Sequence, residues 1–356
     1  MKRIAAAIIG IILLTCTSYG ETSFKIEGKV FSLLGTRTDT RKPDIDTLKY
    51  DVTDMVTEVS PLSRICFTGL VDGKNRAYVE LRPTSYVFEQ IYGIADLSKG
   101  QILAGKIESI FNLVWGRTFS PLSPVLIGYG KAWAGRIPMF MYSLPVAKGS
   151  LKLALCSPSV WDVSTIKQHA AMPQVQVALG QKMGPLGLEV SGIYNSTAAN
   201  EDEVGEDYKD VSATAYGAAL ITKIAFAPVA FTLDGYYGQN IGFARAIGGL
   251  GAKYAIPTED STLKVCNATG YGGFVDGEVT LAKSYIIKGG FGTDMGFYAD
   301  IDSSVVVKMT RFASLGYKVS PEMTLGMEYN AIGEGFEETV TKIISSISLI
   351  CDYKFF

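Results

Sequence analysis

The sequence predicts an all-β fold: a transmembrane antiparallel β-barrel of about sixteen strands. Three observations carry that prediction. Strand-length segments of alternating polarity recur along the chain, their connections alternate between short and long, and the last segment is an amphipathic strand ending on aromatic residues.

The first twenty residues are read as a cleavable export signal, leaving residues 21–356 as the barrel. Lys2 and Arg3 form a positive n-region, Ile4 to Leu14 is an unbroken apolar run, and Ser18 and Gly20 put small residues at the −3 and −1 positions of a cleavage site before Glu21. That run is too short for a spanning helix, which needs about 20 apolar residues. A lipoprotein reading through Cys16 has Thr15 against it, a poor residue just before a lipidated cysteine.

Apolar residues make up 47% of the 356-residue chain, yet no second long apolar stretch follows, which excludes a helical membrane protein. The formal charge is −2, or −4 once Lys2 and Arg3 are removed, so nothing favours nucleic acid. Cys66, Cys156, Cys266 and Cys351 lack paired short spacings; they read as separate small apolar residues or as pairs of undetermined connectivity.

The strands follow from period-two patterns. Phe24, Ile26, Gly28 and Val30 alternate with Lys25, Glu27 and Lys29; Ala77, Val79 and Leu81 with Tyr78, Glu80 and Arg82; Val175, Val177 and Leu179 with Gln174, Gln176 and Ala178; Leu325, Met327 and Tyr329 with Thr324, Gly326 and Glu328. Strands are expected at 23–34, 62–71, 75–83, 85–96, 101–111, 136–144, 150–157, 171–182, 186–196, 212–226, 228–239, 268–280, 283–293, 304–319, 322–331 and 343–355. Short joins at 72–74, 97–100, 145–149, 184–185, 227, 281–282 and 320–321 read as periplasmic turns. The longer connections read as external loops, and an even strand number leaves both termini on the periplasmic side. Tyr142, Tyr194, Tyr237, Tyr285, Tyr317, Tyr329 and Tyr353 fall near strand ends, where aromatic girdles form. Backbone groups cannot stay unpaired in lipid, so a spanning sheet must close, and at about sixteen strands side chains no longer fill the interior.

The segments "LAGKIESIFN", "GRIPMFMYS" and "LKLAL", then "MPQVQVALGQKMGPLGLEVSGIY" and "SPEMTLGMEY", in that order across residues 75–355, resemble Gram-negative porins, in particular the DcaP-like trimeric group. The chain ends on Phe355 and Phe356, similar to the aromatic signal read by outer-membrane insertion machinery. The resemblance implies an outer-membrane homotrimer and a third external loop folded into the barrel, here residues 112–135. Arg117 and Lys131 on that loop would then face acids on the barrel wall.

Charges lining the narrowing would set selectivity. The candidates on inward faces are Arg64, Arg76, Glu80, Arg82, Lys106, Glu108 and Arg136, five bases to two acids, which leans weakly towards small anionic solutes such as carboxylates. A mixed, unselective lining stands beside that reading. The acidic loop 197–211 reads as a solvated external loop, with divalent-ion or lipopolysaccharide bridging as the sharper option.

Enzyme chemistry finds no support. His169 is the sole histidine and has no evident nucleophile or acid partner, "GGLGAKY" lacks the Lys-Ser/Thr of a phosphate loop, and no metal-ligand cluster or cofactor motif is present. The expected function is a passive channel for small hydrophilic solutes, in contact with membrane lipid and lipopolysaccharide. The alternative is a structural or binding barrel, an adhesin or a sheath for a partner protein, with an occupied lumen.

Overall fold

The computed structural model describes residues 23–41, 50–59, 64–71, 75–82, 87–111, 134–157, 168–170, 172–199, 212–244, 253–255, 264–298, 302–336 and 339–355. The signal segment expected over 1–20 lies outside the described residues, as do loop positions 112–133 and 200–211.

The strands are β1 (Ser23–Arg41), β2 (Tyr50–Val59), β3 (Arg64–Val71), β4 (Asn75–Arg82), β5 (Val87–Leu97), β6 (Gly100–Glu108), β7 (Arg136–Val146) and β8 (Gly149–Cys156). They continue with β9 (Gln168–Ala170), β10 (Gln174–Met183), β11 (Leu186–Ala199), β12 (Ser212–Phe226), β13 (Val229–Gln239), β14 (Lys253–Ala255) and β15 (Lys264–Cys266). The last five are β16 (Ala268–Leu281), β17 (Tyr285–Tyr298), β18 (Asp302–Lys318), β19 (Met323–Phe336) and β20 (Thr339–Phe355).

Eighteen of them form one antiparallel sheet, and β14 and β15 form a separate hairpin. Two pairs in the main sheet are halves of single staves, which brings it to sixteen. β2 and β3 run in succession along one edge of β1, pairing with Ser32–Arg41 and Ser23–Lys29 respectively. β9 and β10 likewise follow one another along β11. The pairing passes stave to stave from β3 to β19, then β20, which returns to β1 over Gly28–Arg41. The hydrogen bonding therefore runs round a ring, as a sheet in lipid requires. No helix among the described residues is long and apolar enough to cross a membrane.

The pleat sorts side chains between two environments. On β13, Phe231, Leu233 and Tyr237 are exposed outward while Thr232, Asp234 and Tyr236 are buried inward. On β7, Phe140 is 70% exposed and its neighbours Met139 and Met141 are buried. The outer belt is apolar: Leu153, Leu179, Val190, Leu220, Leu315 and Leu349 are all exposed. Aromatics edge it. Tyr285 and Tyr317 stack beside the turns with ring centroids 5.2 Å apart, and Tyr194, Tyr216, Tyr237 and Tyr271 are exposed near the opposite edge. From Tyr216 to Phe226 on β12, at about 3.3 Å per residue and about 40° of tilt, is about 25 Å, the height of an outer-membrane apolar band.

Several details differ from the sequence reading. β1 extends to Arg41 and β2 pairs with the added part. His169, expected on a loop, lies in β9 opposite Ala198. Cys66, Cys156 and Cys351 form no disulfide among the described residues, which agrees with the reading of separate small residues.

Candidate functional site

A network of charged side chains spans the inner wall of β4 to β7. Tyr78 and Tyr92 stack there with ring centroids 5.0 Å apart, and Tyr92 packs against the inner apolar cluster of Ile107, Met139, Met141 and Cys156, which places the network on the lumen side. Glu80 accepts hydrogen bonds from Tyr78 Oη at 3.2 Å and Gln90 Nε2 at 3.1 Å, and ion-pairs with Arg136 at 3.2 Å. Arg136 also pairs with Glu89, and with Glu108 at 3.1 Å. Arg82 reaches Glu89 at 2.6 Å. Arg76 pairs with Asp96 at 2.9 Å nearer the turns, where Gln101 donates to the same carboxylate at 2.7 Å.

Two of these acids escaped the sequence reading. The register between β4 and β5 slips after Glu80: Gln90 faces Glu80, Phe88 faces Leu81, and Glu89 between them has no opposite residue. Such a bulge redirects one side chain, and here it sends a carboxylate to the two guanidinium groups. The signal that could have exposed it is the broken alternation of Phe88-Glu89-Gln90. Asp96 sits one residue from its turn, where alternation is weakly defined.

Glu80, Arg82, Glu108 and Arg136 are thus joined through ion pairs that run by way of Glu89, and Arg76 pairs separately with Asp96. Adding Glu89 and Asp96 removes the excess of bases counted from sequence on this wall. Lys106 makes no ion pair with a described residue of this group. Its Nζ donates to the Phe88 carbonyl at 3.1 Å. Arg64 opens β3, and its side chain is outside the described residues. Arg117 and Lys131 belong to 112–133, also outside them.

The beginning of that third loop is described, and it turns inward. After β6, Ser109 Oγ and the backbone N–H groups of Ile110 and Phe111 all donate to Gln176 Oε1 on β10, at 2.9, 3.0 and 3.1 Å. Gln176 Nε2 donates to Gln174 at 3.0 Å, which fixes which way the amide points. The fully buried Phe111 ring lies against Gly217 of β12, where an added Cβ would come within 3.2 Å of it. Alternation alone could not show this, because it is a contact between staves far apart in sequence.

Across the ring from β4–β7, the inner wall of β13 to β19 carries Asp234, Asp276, Asp294 and Glu328, all buried. Tyr236 Oη donates to Asp294 at 2.6 Å across Gly272, which stands between them in register. Ser314 donates to Glu328 at 2.5 Å. Among the described residues no group of His, Cys, Asp and Glu could hold a metal ion.

No protein family's sequence profile matches this chain, and no curated protein matches it in sequence. Solved structures do match it. The outer membrane channel DcaP of Acinetobacter baumannii superimposes with a TM-score of 0.75 at 13% identity, covering 95% of this chain and 99% of that one. The trimer form of OmpT, an outer membrane protein of Vibrio cholerae, gives 0.60 at 12% identity, covering 94% and 99%. The anion-selective porin of Comamonas acidovorans gives 0.59 at 11%, covering 94% and 100%. The chain thus has the fold of the porin barrels over nearly its whole length, and the resemblance to DcaP-like porins read from its sequence holds at the level of fold.

Proposed function

We propose that this chain is an outer-membrane porin, a passive diffusion channel for small hydrophilic solutes that works as a homotrimer and weakly favours anions. The observation that carries the reading is the closed ring of sixteen staves with an apolar belt outside and a polar wall inside. At that strand number a barrel holds a water-filled channel, and Ser109, Ile110 and Phe111 after β6 turn inward against its wall. The fold likeness to DcaP, to a trimer form of OmpT and to an anion-selective porin supports localisation, assembly and anion preference in turn.

The source of anion preference differs from the one expected. The β4–β7 wall is balanced, whereas the inner wall of β8–β12 near the turns carries Lys152, Lys182 and Lys223 against Glu189. The outer belt meets membrane lipid. No catalytic step is proposed.

Refolded protein in a planar bilayer under a salt gradient tests the reading. Stepwise openings that close in thirds, with a reversal potential of anion sign, are expected; a silent membrane with folded protein would overturn it. One observation favours the second reading, a barrel with an occupied lumen: Gln174, Gln176, Asp294, Thr310 and Glu328 on the inner wall have no exposed surface. That reading predicts the silent membrane and a partner that co-purifies.

A further inference from the structure

The inner face of β12 and β13 is bare at the height of the external girdle. Gly217 and Gly238 face each other there in register, beside the exposed Tyr216 and Tyr237, and the buried Ala215 and Ala219 flank Gly217 on the inward side of β12. Residues this small leave a shallow seat on the wall. Two loops fill it. Phe111, at the root of the third loop, brings its Cζ within 3.2 Å of the point where a Gly217 Cβ would stand, and Ile241 brings its Cγ2 within 3.0 Å of the same point. The Ile241 Cγ2 also lies 2.8 Å from the corresponding point on Gly238. Phe111 has no exposed surface and Ile241 is 3% exposed, so both are packed into the seat rather than lying across it.

Ile241 opens the short 3-10 turn Ile241–Ala244, the root of the loop that follows β13. Asn240 aims it. Its φ of 55° is left-handed, a conformation Asn adopts more readily than most residues. Its side chain ties β12 and the start of β16 to the end of β13. Nδ2 donates to the Thr214 carbonyl at 2.9 Å and to Asn267 Oδ1 at 2.8 Å, and Oδ1 accepts the Ala268 N–H at 2.8 Å. The Asn240 N–H donates in turn to the Ala268 carbonyl at 2.7 Å. The loop thus leaves and rejoins the wall at one fixed point, and its first side chain is delivered to the seat. The root of the third loop reaches the same seat from β6, held by Gln176.

Both side chains stand over one missing methyl, so neither root can shift without opening a void beside the other, and packed interiors resist voids. We propose that the third loop and the loop after β13 form a two-part latch at the external mouth, which moves as one body and sets the open and closed levels of each channel. The inference rests on the porin reading and adds to it a second loop and the residue that couples it. Ile241 is a positioning residue that acts on the pore through Phe111. The atom in contact is the Cγ2 branch. Valine keeps that branch and should serve in its place, whereas leucine has the same size without it and should not.

Two measurements on the full folded chain test the latch. Urea unfolding in detergent reads the coupling without needing an open pore. Phe111→Leu and Ile241→Ala should each lower the midpoint, and the double variant should lower it by less than the two shifts together, because side chains in contact are not independent. In planar-bilayer recordings, Ile241→Leu should make subconductance flicker at least fivefold more frequent than in wild type. Gly217→Ala, whose new methyl would push on both side chains, should do the same. Ile241→Val should give the wild-type trace. Additive midpoints, or wild-type traces from the leucine and alanine variants, would overturn the latch while open channels keep the porin. Non-additive midpoints with a silent membrane would keep the joint between the loops and reject the porin.

Discussion

Gln176 carries more structural consequence than its polarity suggests. Its carbonyl oxygen receives three donors from Ser109, Ile110 and Phe111, and its own amide is aimed by Gln174. Gln176→Leu would leave the buried Ser109 hydroxyl and Ile110 N–H without their acceptor, at about 1–3 kcal/mol for each group left unsatisfied, while the Phe111 N–H keeps Ser109 Oγ at 3.1 Å. The expected outcome in single-channel recordings is a larger, more variable conductance, because the third loop loses its anchor; an unchanged conductance would show the loop held elsewhere. Gly272 works by the absence of a side chain. A Cβ there would come within 2.5 Å of both Tyr236 and Asp294 and 2.8 Å of the Thr293 carbonyl. Gly272→Ala should therefore break their hydrogen bond and lower stability by about 1–3 kcal/mol, read as a shifted urea midpoint.

The strand bearing Glu89 shows how one extra residue rewires a wall. Without the bulge its carboxylate could not meet both Arg82 and Arg136 while Gln90 reaches Glu80. Arg136 then holds three acids together across four strands. Truncating one partner of such a cluster strands the others, so Arg136→Ala should cost about 3–5 kcal/mol. Arg136→Lys should recover only part of that, since an ammonium cannot fork between carboxylates. Equal urea midpoints for Arg136→Ala and wild type would mean the acids are satisfied without it. The membrane-spanning elements were legible because each has one face in lipid and one towards the lumen. The extension of β1 beyond residue 34 was not, because Thr36, Arg37, Thr38, Asp39 and Thr40 break the alternation of apolar and polar residues.

At the scale of the barrel, the assignment of faces is itself testable. Lys152 on the inner side and Leu153 on the outer side are neighbours on β8, with Leu153 exposed. Leu153→Lys should destabilise by about 2–4 kcal/mol, the cost of a lysine near the bilayer midplane, and cut folded yield in heat-modifiable gel mobility. Lys152→Leu should do little to folding. The reverse order would exchange inside and outside. The sequence by itself determined the class of fold, sixteen strand positions and the belt they present to lipid, because period two and turn chemistry are local properties of the chain. Only the tertiary structure decided that Arg76, Arg82 and Arg136 are ion-paired and that Gln176 anchors the start of the third loop. Those facts depend on register between strands and on contacts across the ring. A one-residue bulge changes them without leaving more than a broken alternation in the sequence.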